Sequence, residues 1–233
     1  MKYPVLLNTP IKEIIFSISY DEIVDKNCFD DFVNIEFIKK YFTDIKPSVT
    51  NEFEISNKGV KLSKDNSGFH LKRKNEVLQM RKGSMSYHYL NEYSDFNDIL
   101  DTFIKFWKAF DNVTKDNLTI SEVSVRYINV LEVDKDNPVS DLVQLYPKQS
   151  KDRNIKNFQS SVTFSYSNCP EYLINAVSTL PKEDLVLLDI TISKKIDKKT
   201  DLTESFKPLR EIKNRVFFDS ITAKALLKYI NQK

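Results

Sequence analysis

Residues 119–133, TISEVSVRYINVLEV, limit the possible folds more than any other stretch, because they alternate with a period of two over more than a dozen positions. Successive side chains of an extended strand leave on opposite faces. Val123, Val125, Tyr127, Leu131 and Val133 therefore share one face, with Asn129 as its polar exception, and Glu122, Ser124, Arg126, Ile128 and Val130 share the other. A segment this long and apolar belongs in the middle of a sheet. Yet two of its charges, Glu122 and Arg126, stand two pleats apart on one side.

The rest of the chain supplies partners for such a strand. In residues 11–20, IKEIIFSISY, Ile14, Phe16, Ile18 and Tyr20 fall on one face, and Ile11, Glu13, Ile15, Ser17 and Ser19 on the other. Apolar residues at helical spacing predict a helix over 29–42 that stops before Pro47. Short strand-like pieces follow at 51–56, 59–63, 68–73, 77–81 and 85–90, separated by turns at 57–59, 65–68 and 82–84. The sequence has 3 glycines, and all of them lie in those turns. Residues 96–110 carry the clearest helical stripe (Ile99, Leu100, Phe103, Phe106, Trp107, Phe110), with Ser94 or Asp95 as its cap. Beyond the central strand the pattern predicts a short helix over 139–146 and strands at 158–167, 172–179 and 185–193. A helix over 202–218, with Pro208 near its beginning, and a last one over 221–230 complete the chain.

The halves look alike. Ile11-x-Glu13-Ile14 opens one and Ile120-x-Glu122-Val123 opens the other, and each continues through helix, strands and a second helix. The expected fold is α+β: pseudo-duplicated lobes, 1–117 and 118–233, of mainly antiparallel sheet with helices packed on one face and one continuous core.

Composition removes several function classes. Across 233 residues the formal net charge is +2, so no global field draws in nucleic acid or anionic lipid. So few glycines leave little room for a phosphate-cradling loop, and no Walker-type, dinucleotide or G-x-S-x-G motif occurs. No run approaches the ~20 apolar residues of a membrane span, and the N-terminus lacks the apolar core of a signal peptide. With Cys28 and Cys169 read as reduced thiols, the expected location is the cytoplasm. No cofactor is implied. His70 and His88 lack metal-motif spacing, so no metal is expected.

Two sets of residues could carry function. Glu13, Glu122, Arg126 and Asp189 are charges set in apolar strands. They read either as a buried polar cluster that fixes strand register or as a ligand or acid–base site. Lys72, Arg73, Lys74, Arg81 and Lys82, interleaved with His70, Tyr87 and Tyr89, read either as a solvated sheet edge or as a nucleic-acid face that neutralises phosphates and stacks bases. No catalytic residue is assigned.

Three short motifs run through the chain: Pro10-Ile11-Lys12-Glu13-Ile14-Ile15-Phe16, Arg126-Tyr127-Ile128-Asn129 and Leu187-Leu188-Asp189-Ile190. With the tail Val216-Phe217-Phe218-Asp219-Ser220-Ile221-Thr222, the chain resembles a sporadically distributed family of uncharacterised bacterial proteins. The resemblance implies an accessory role: a non-enzymatic interaction or sensor module in a small bacterial complex, with anti-phage defence as one setting. It also implies protein partners encoded nearby. The alternative is a nucleic-acid binder that uses the meander at 58–89 for RNA or DNA.

Overall fold

The computed structural model describes residues 3–4, 6, 8–56, 59–90, 95–115, 117–133, 142–144, 157–182, 184–196 and 201–230, of which 49–56 and 59–67 in backbone only. Nine strands are described: β1 Ile11–Tyr20, β2 Asp44–Ser56, β3 Gly59–Arg73, β4 Glu76–Arg81, β5 Ser84–Tyr89, β6 Ile120–Glu132, β7 Gln159–Tyr166, β8 Cys169–Lys182 and β9 Leu185–Lys195. They form one sheet in the order β2-β3-β4-β5-β1-β6-β9-β8-β7. Every described pairing is antiparallel. The helices are α1 Lys26–Asn34, α2 Glu36–Tyr41, α3 Phe96–Val113, α4 Leu202–Ser220 and α5 Ala223–Ile230.

The opening strands of the two halves meet at the centre, where β1 pairs with β6 from Ile11↔Asn129 to Tyr20↔Ile120. In each half the last strand of a meander returns to its opening strand: β5 to β1 and β9 to β6. The expected boundary near residue 117 separates no cores. Phe16 of β1 lies against Phe96 and Phe103 of α3 and against Phe206 of α4, so one aromatic cluster bridges both halves. The ring centroids are 5.2–6.0 Å apart, tilted against Phe96, stacked on Phe103 and edge-on to Phe206.

The helices crowd one side of the sheet. Ile14, Phe16, Ile18 and Tyr20 of β1 are buried there, with Val123, Val125, Tyr127 and Leu131 of β6 and Val186, Leu188, Ile190 and Ile192 of β9. The intervening residues of the central strands face the other side, where among the described residues no helix covers them. Asp95 caps α3, its carboxylate accepting from the Asn97 N–H at 2.7 Å. The predicted stripe of α3, Ile99 through Phe110, is buried.

Several boundaries differ from the pattern reading. The helix expected over 29–42 breaks at Ile35, whose extended backbone (φ −60°, ψ 130°) caps both α1 and α2. The turn expected at 65–68 is instead the interior of β3, which pairs with β2 through a bulge beside Ser48. Gly68 is required there for two reasons. Its φ of +147° suits glycine, and a Cβ would lie 1.8 Å from the Met80 carbonyl oxygen on β4. Pro208 lies inside α4, not at its start. The helix begins earlier because Asp201 accepts from the Glu204 N–H at 3.0 Å and fixes the first turn. The short helix expected over 139–146 falls mostly outside the described residues, of which Val143 forms a bridge to Ile221.

Candidate functional site

Three of the four charges singled out in the strands converge on the uncovered face. Arg126 donates to Asp189 from Nε at 2.9 Å and from its terminal nitrogen at 2.5 Å, a forked pair of charge-assisted bonds. Glu13 lies one strand over, opposite Ile128, which also faces Asp189. Hydrogen bonding from Asp189, with a smaller contribution from the charge of Glu13, raises the guanidinium pKa above its ordinary value. Glu13 Oε1 accepts from Nδ1 of His88 at 2.7 Å, and the other ring nitrogen meets Ser86 Oγ at 3.3 Å. His88 thus joins the cluster. Glu122 does not, because it is four residues along β6 from Arg126, opposite Ser19 and Lys195.

The expectation that this cluster is buried is corrected. The Arg126 side chain is 46% exposed and that of Asp189 22%. The parity of the strands is as predicted, but the face that carries the charges is the one without helices.

The basic and aromatic meander also splits by parity. His70, Lys72 and Arg81 face the uncovered side. Tyr87 is buried against the helices, where its ring lies 6.2 Å from Phe103 and its hydroxyl donates to Glu76 at 2.8 Å. Tyr41 donates to the same carboxylate at 2.5 Å, and Arg73 stacks on the Tyr41 ring at 4.3 Å. Tyr89 packs against the core from the helix side, while Lys74 and Lys82 sit in the tight β3–β4 and β4–β5 turns. Of the rings singled out for stacking, Tyr87 and Tyr89 alternate with the serines and His88 of β5 and so point inward, which leaves His70 on the uncovered face. Burial first, then Arg81 and His88, lower the His70 pKa.

Cross-strand register reveals a feature of the uncovered face that no single strand displays. Ser86, Ser17, Ser124 and Ser193 stand directly opposite one another on β5, β1, β6 and β9. Gln79, His70 and Lys46 continue the row through β4, β3 and β2. The four serines form a shallow trough across β5, β1, β6 and β9, roughly 14 Å long at the usual strand spacing, and the longer side chains of Gln79, His70 and Lys46 extend the row beyond it. One neighbouring row carries Asp44, Lys72, His88, Ile15 and Arg126, and the other carries Gly68, Arg81, Ser84, Ser19, Glu122 and Lys195.

A second locus lies on the helix side. A half-open cavity of about 1680 Å³ runs between the N-terminal segment, α4 and the β7–β8 turn. Lys213 is part of its wall and is 7% exposed, the only charged residue so deeply buried among those described. Its Nζ lies 4.3 Å from the centroid of the Tyr127 ring, a cation–π contact strengthened by desolvation. Among the described residues no carboxylate pairs with it. Burial, then the charge of Arg210, push its pKa down to about 7. Asn129 shares the wall at 1% exposure; its Nδ2 donates to the Leu188 carbonyl at 3.0 Å, and its Oδ1 has no hydrogen-bond partner among the described residues.

Sequence reasoning missed Lys213. The signal was available: Phe206, Leu209, Val216 and Phe217 make an apolar stripe on α4, and Lys213 occupies the core position between them. At the mouth of the cavity Tyr166 donates to Asp219 at 3.1 Å and Arg215 stacks on the Tyr166 ring at 3.6 Å. Tyr3 and Phe218 stack in parallel, centroids 4.7 Å apart.

Among the described residues no group of three or more His, Cys, Asp or Glu could hold a metal, and both cysteines are free. No described helix is long and apolar enough to cross a membrane. Comparison with known proteins finds no family model that matches the chain and no curated protein that resembles it.

Proposed function

We propose that the protein is a non-enzymatic interaction module that docks a partner protein on the uncovered face of its sheet. One observation carries this reading: the serine trough, aligned in register across the four central strands. Serine adds little to a sheet compared with β-branched residues. Four in one row lower the surface and leave hydroxyls free to adapt to another polar backbone or side chain. The length matches about 10 residues of a helix laid across the strands. Lys72 on one flank and Arg81 and Lys195 on the other favour acidic side chains at those positions of the partner segment, and Glu122 favours a basic one. Tyr87 and Tyr89 turn away from this face, which weighs against base stacking.

The reading includes an accessory, cytoplasmic role in a bacterial complex, membership of the family the motifs resemble, and a pseudo-duplicated origin of the halves. The last is supported by the way each meander returns to its own opening strand. A nucleic-acid role would rest on phosphate contacts from Lys72 and Arg81 alone, and gel-shift titration at low salt with a Lys72→Glu/Arg81→Glu variant tests it.

The principal test is quantitative affinity capture from cells that express the protein natively, after nuclease treatment. The wild type is compared with Ser17→Arg/Ser124→Arg, which fills the trough, and with Lys105→Glu on the far surface of α3. The expected result is a protein enriched by wild type and by the α3 variant and lost with the trough variant. Enrichment indifferent to the trough, or abolished by nuclease, contradicts the proposal.

A further inference from the structure

The cavity beside α4 is separate from the uncovered face, and its chemistry differs. A cation buried without a counter-charge is costly, and the cost is removed when a ligand supplies the missing anion. Lys213 stands at the wall of a cavity wide enough for a small organic molecule. The mouth adds Lys12, Arg210 and Arg215, opposed by Glu211 and by an Asp219 already engaged with Tyr166 and Arg215. The same wall contains a buried acceptor without a donor, Asn129 Oδ1, which stands one pleat from Tyr127, the residue beneath the lysine. At the outer end the parallel rings of Tyr3 and Phe218 offer a flat aromatic surface.

From these features we infer that the cavity is a binding site for a nucleoside phosphate, with the phosphate on Lys213, a ribose hydroxyl donating to Asn129 Oδ1 and the base against the Tyr3–Phe218 pair. The anion needs the buried ammonium; the hydroxyl satisfies the orphaned carbonyl oxygen; the planar base suits the aromatic slab. The site is independent of the docking face: a sensor could use both, and either can fail alone.

The test is calorimetric titration of the full chain at low salt with adenosine 3′-monophosphate, adenosine, inorganic phosphate and benzoate. The nucleotide is expected to bind best and adenosine not to bind. Lys213→Met should weaken the nucleotide at least about tenfold, whereas Lys105→Glu should leave it unchanged. Because Lys213→Met removes a charge, Phe218→Ser provides a second readout: it should weaken the nucleotide and leave inorganic phosphate untouched. The inference is overturned if the nucleotide does not bind or if Lys213→Met binds it equally. It is also overturned if adenosine or benzoate matches the nucleotide, or if Phe218→Ser weakens inorganic phosphate as much as the nucleotide.

Discussion

Arg126 of β6 and Lys213, which lies over the adjacent Tyr127, stand on opposite sides of the sheet, and they resolve the problem of a cation next to a core in opposite ways. Arg126 stands on the face without helices, half in water, and is held by a forked bond to Asp189. Lys213 reaches the other face from α4, lies over Tyr127 and is enclosed with no carboxylate beside it among the described residues. A paired, solvated cation contributes modestly to stability and tolerates change. An enclosed, unpaired one destabilises the fold, so its presence calls for a role outside folding.

The largest effect should come from the buried partner. The lysine's ordinary pKa is 10.5 and in the folded protein it is about 7. Between those values the unfolded chain binds more protons than the folded one, so stability should rise with pH from about 7 to about 10.5 and be flat below. Lys213→Met should remove that slope and raise stability at neutral pH by as much as about 4 kcal/mol, read by urea denaturation at a series of pH values. A variant less stable than wild type would mean that the lysine is paired and the comparison false.

Next in size, Arg126→Met should cost about 1 kcal/mol by the same assay, since the pair is well aligned but nearly half exposed. A loss above about 3 kcal/mol would place the pair in the class of buried ion pairs and erase its contrast with Lys213. Glu13→Gln should cost still less, about 0.5 kcal/mol, because the amide oxygen can still accept from His88 in that half-buried pair.

The two cations also differ in how far the sequence revealed them. Arg126 was legible because strand parity is strict. Once Val123, Val125 and Tyr127 are assigned to the core, the side taken by Arg126 follows, and Glu13 and Asp189 follow by the same argument on their own strands. What parity does not supply is which face the helices will cover, and so the cluster was expected inside when it lies at the surface. The same rule applied to β5 would have turned Tyr87 and Tyr89 inward with Met85, leaving Ser84, Ser86 and His88 outside; grouping the residues by charge and aromaticity hid that. The serine row needed cross-strand register, which depends on turns and bulges such as the one at Gly68. Lys213 was hidden for a different reason. A lysine in a helical stripe usually extends its head to water, and only the packing of α4 against β6, with the N-terminal segment closing one side, prevents it.

The most direct test is a heteronuclear NMR titration of the protein labelled at lysine Cε and Nζ, followed from pH 5 to 11. The account predicts one lysine resonance with a midpoint near pH 7, missing from Lys213→Met and shifted upward when adenosine 3′-monophosphate is added. A spectrum in which every lysine titrates near its ordinary value, with none lost to the substitution in the neutral range, would contradict it.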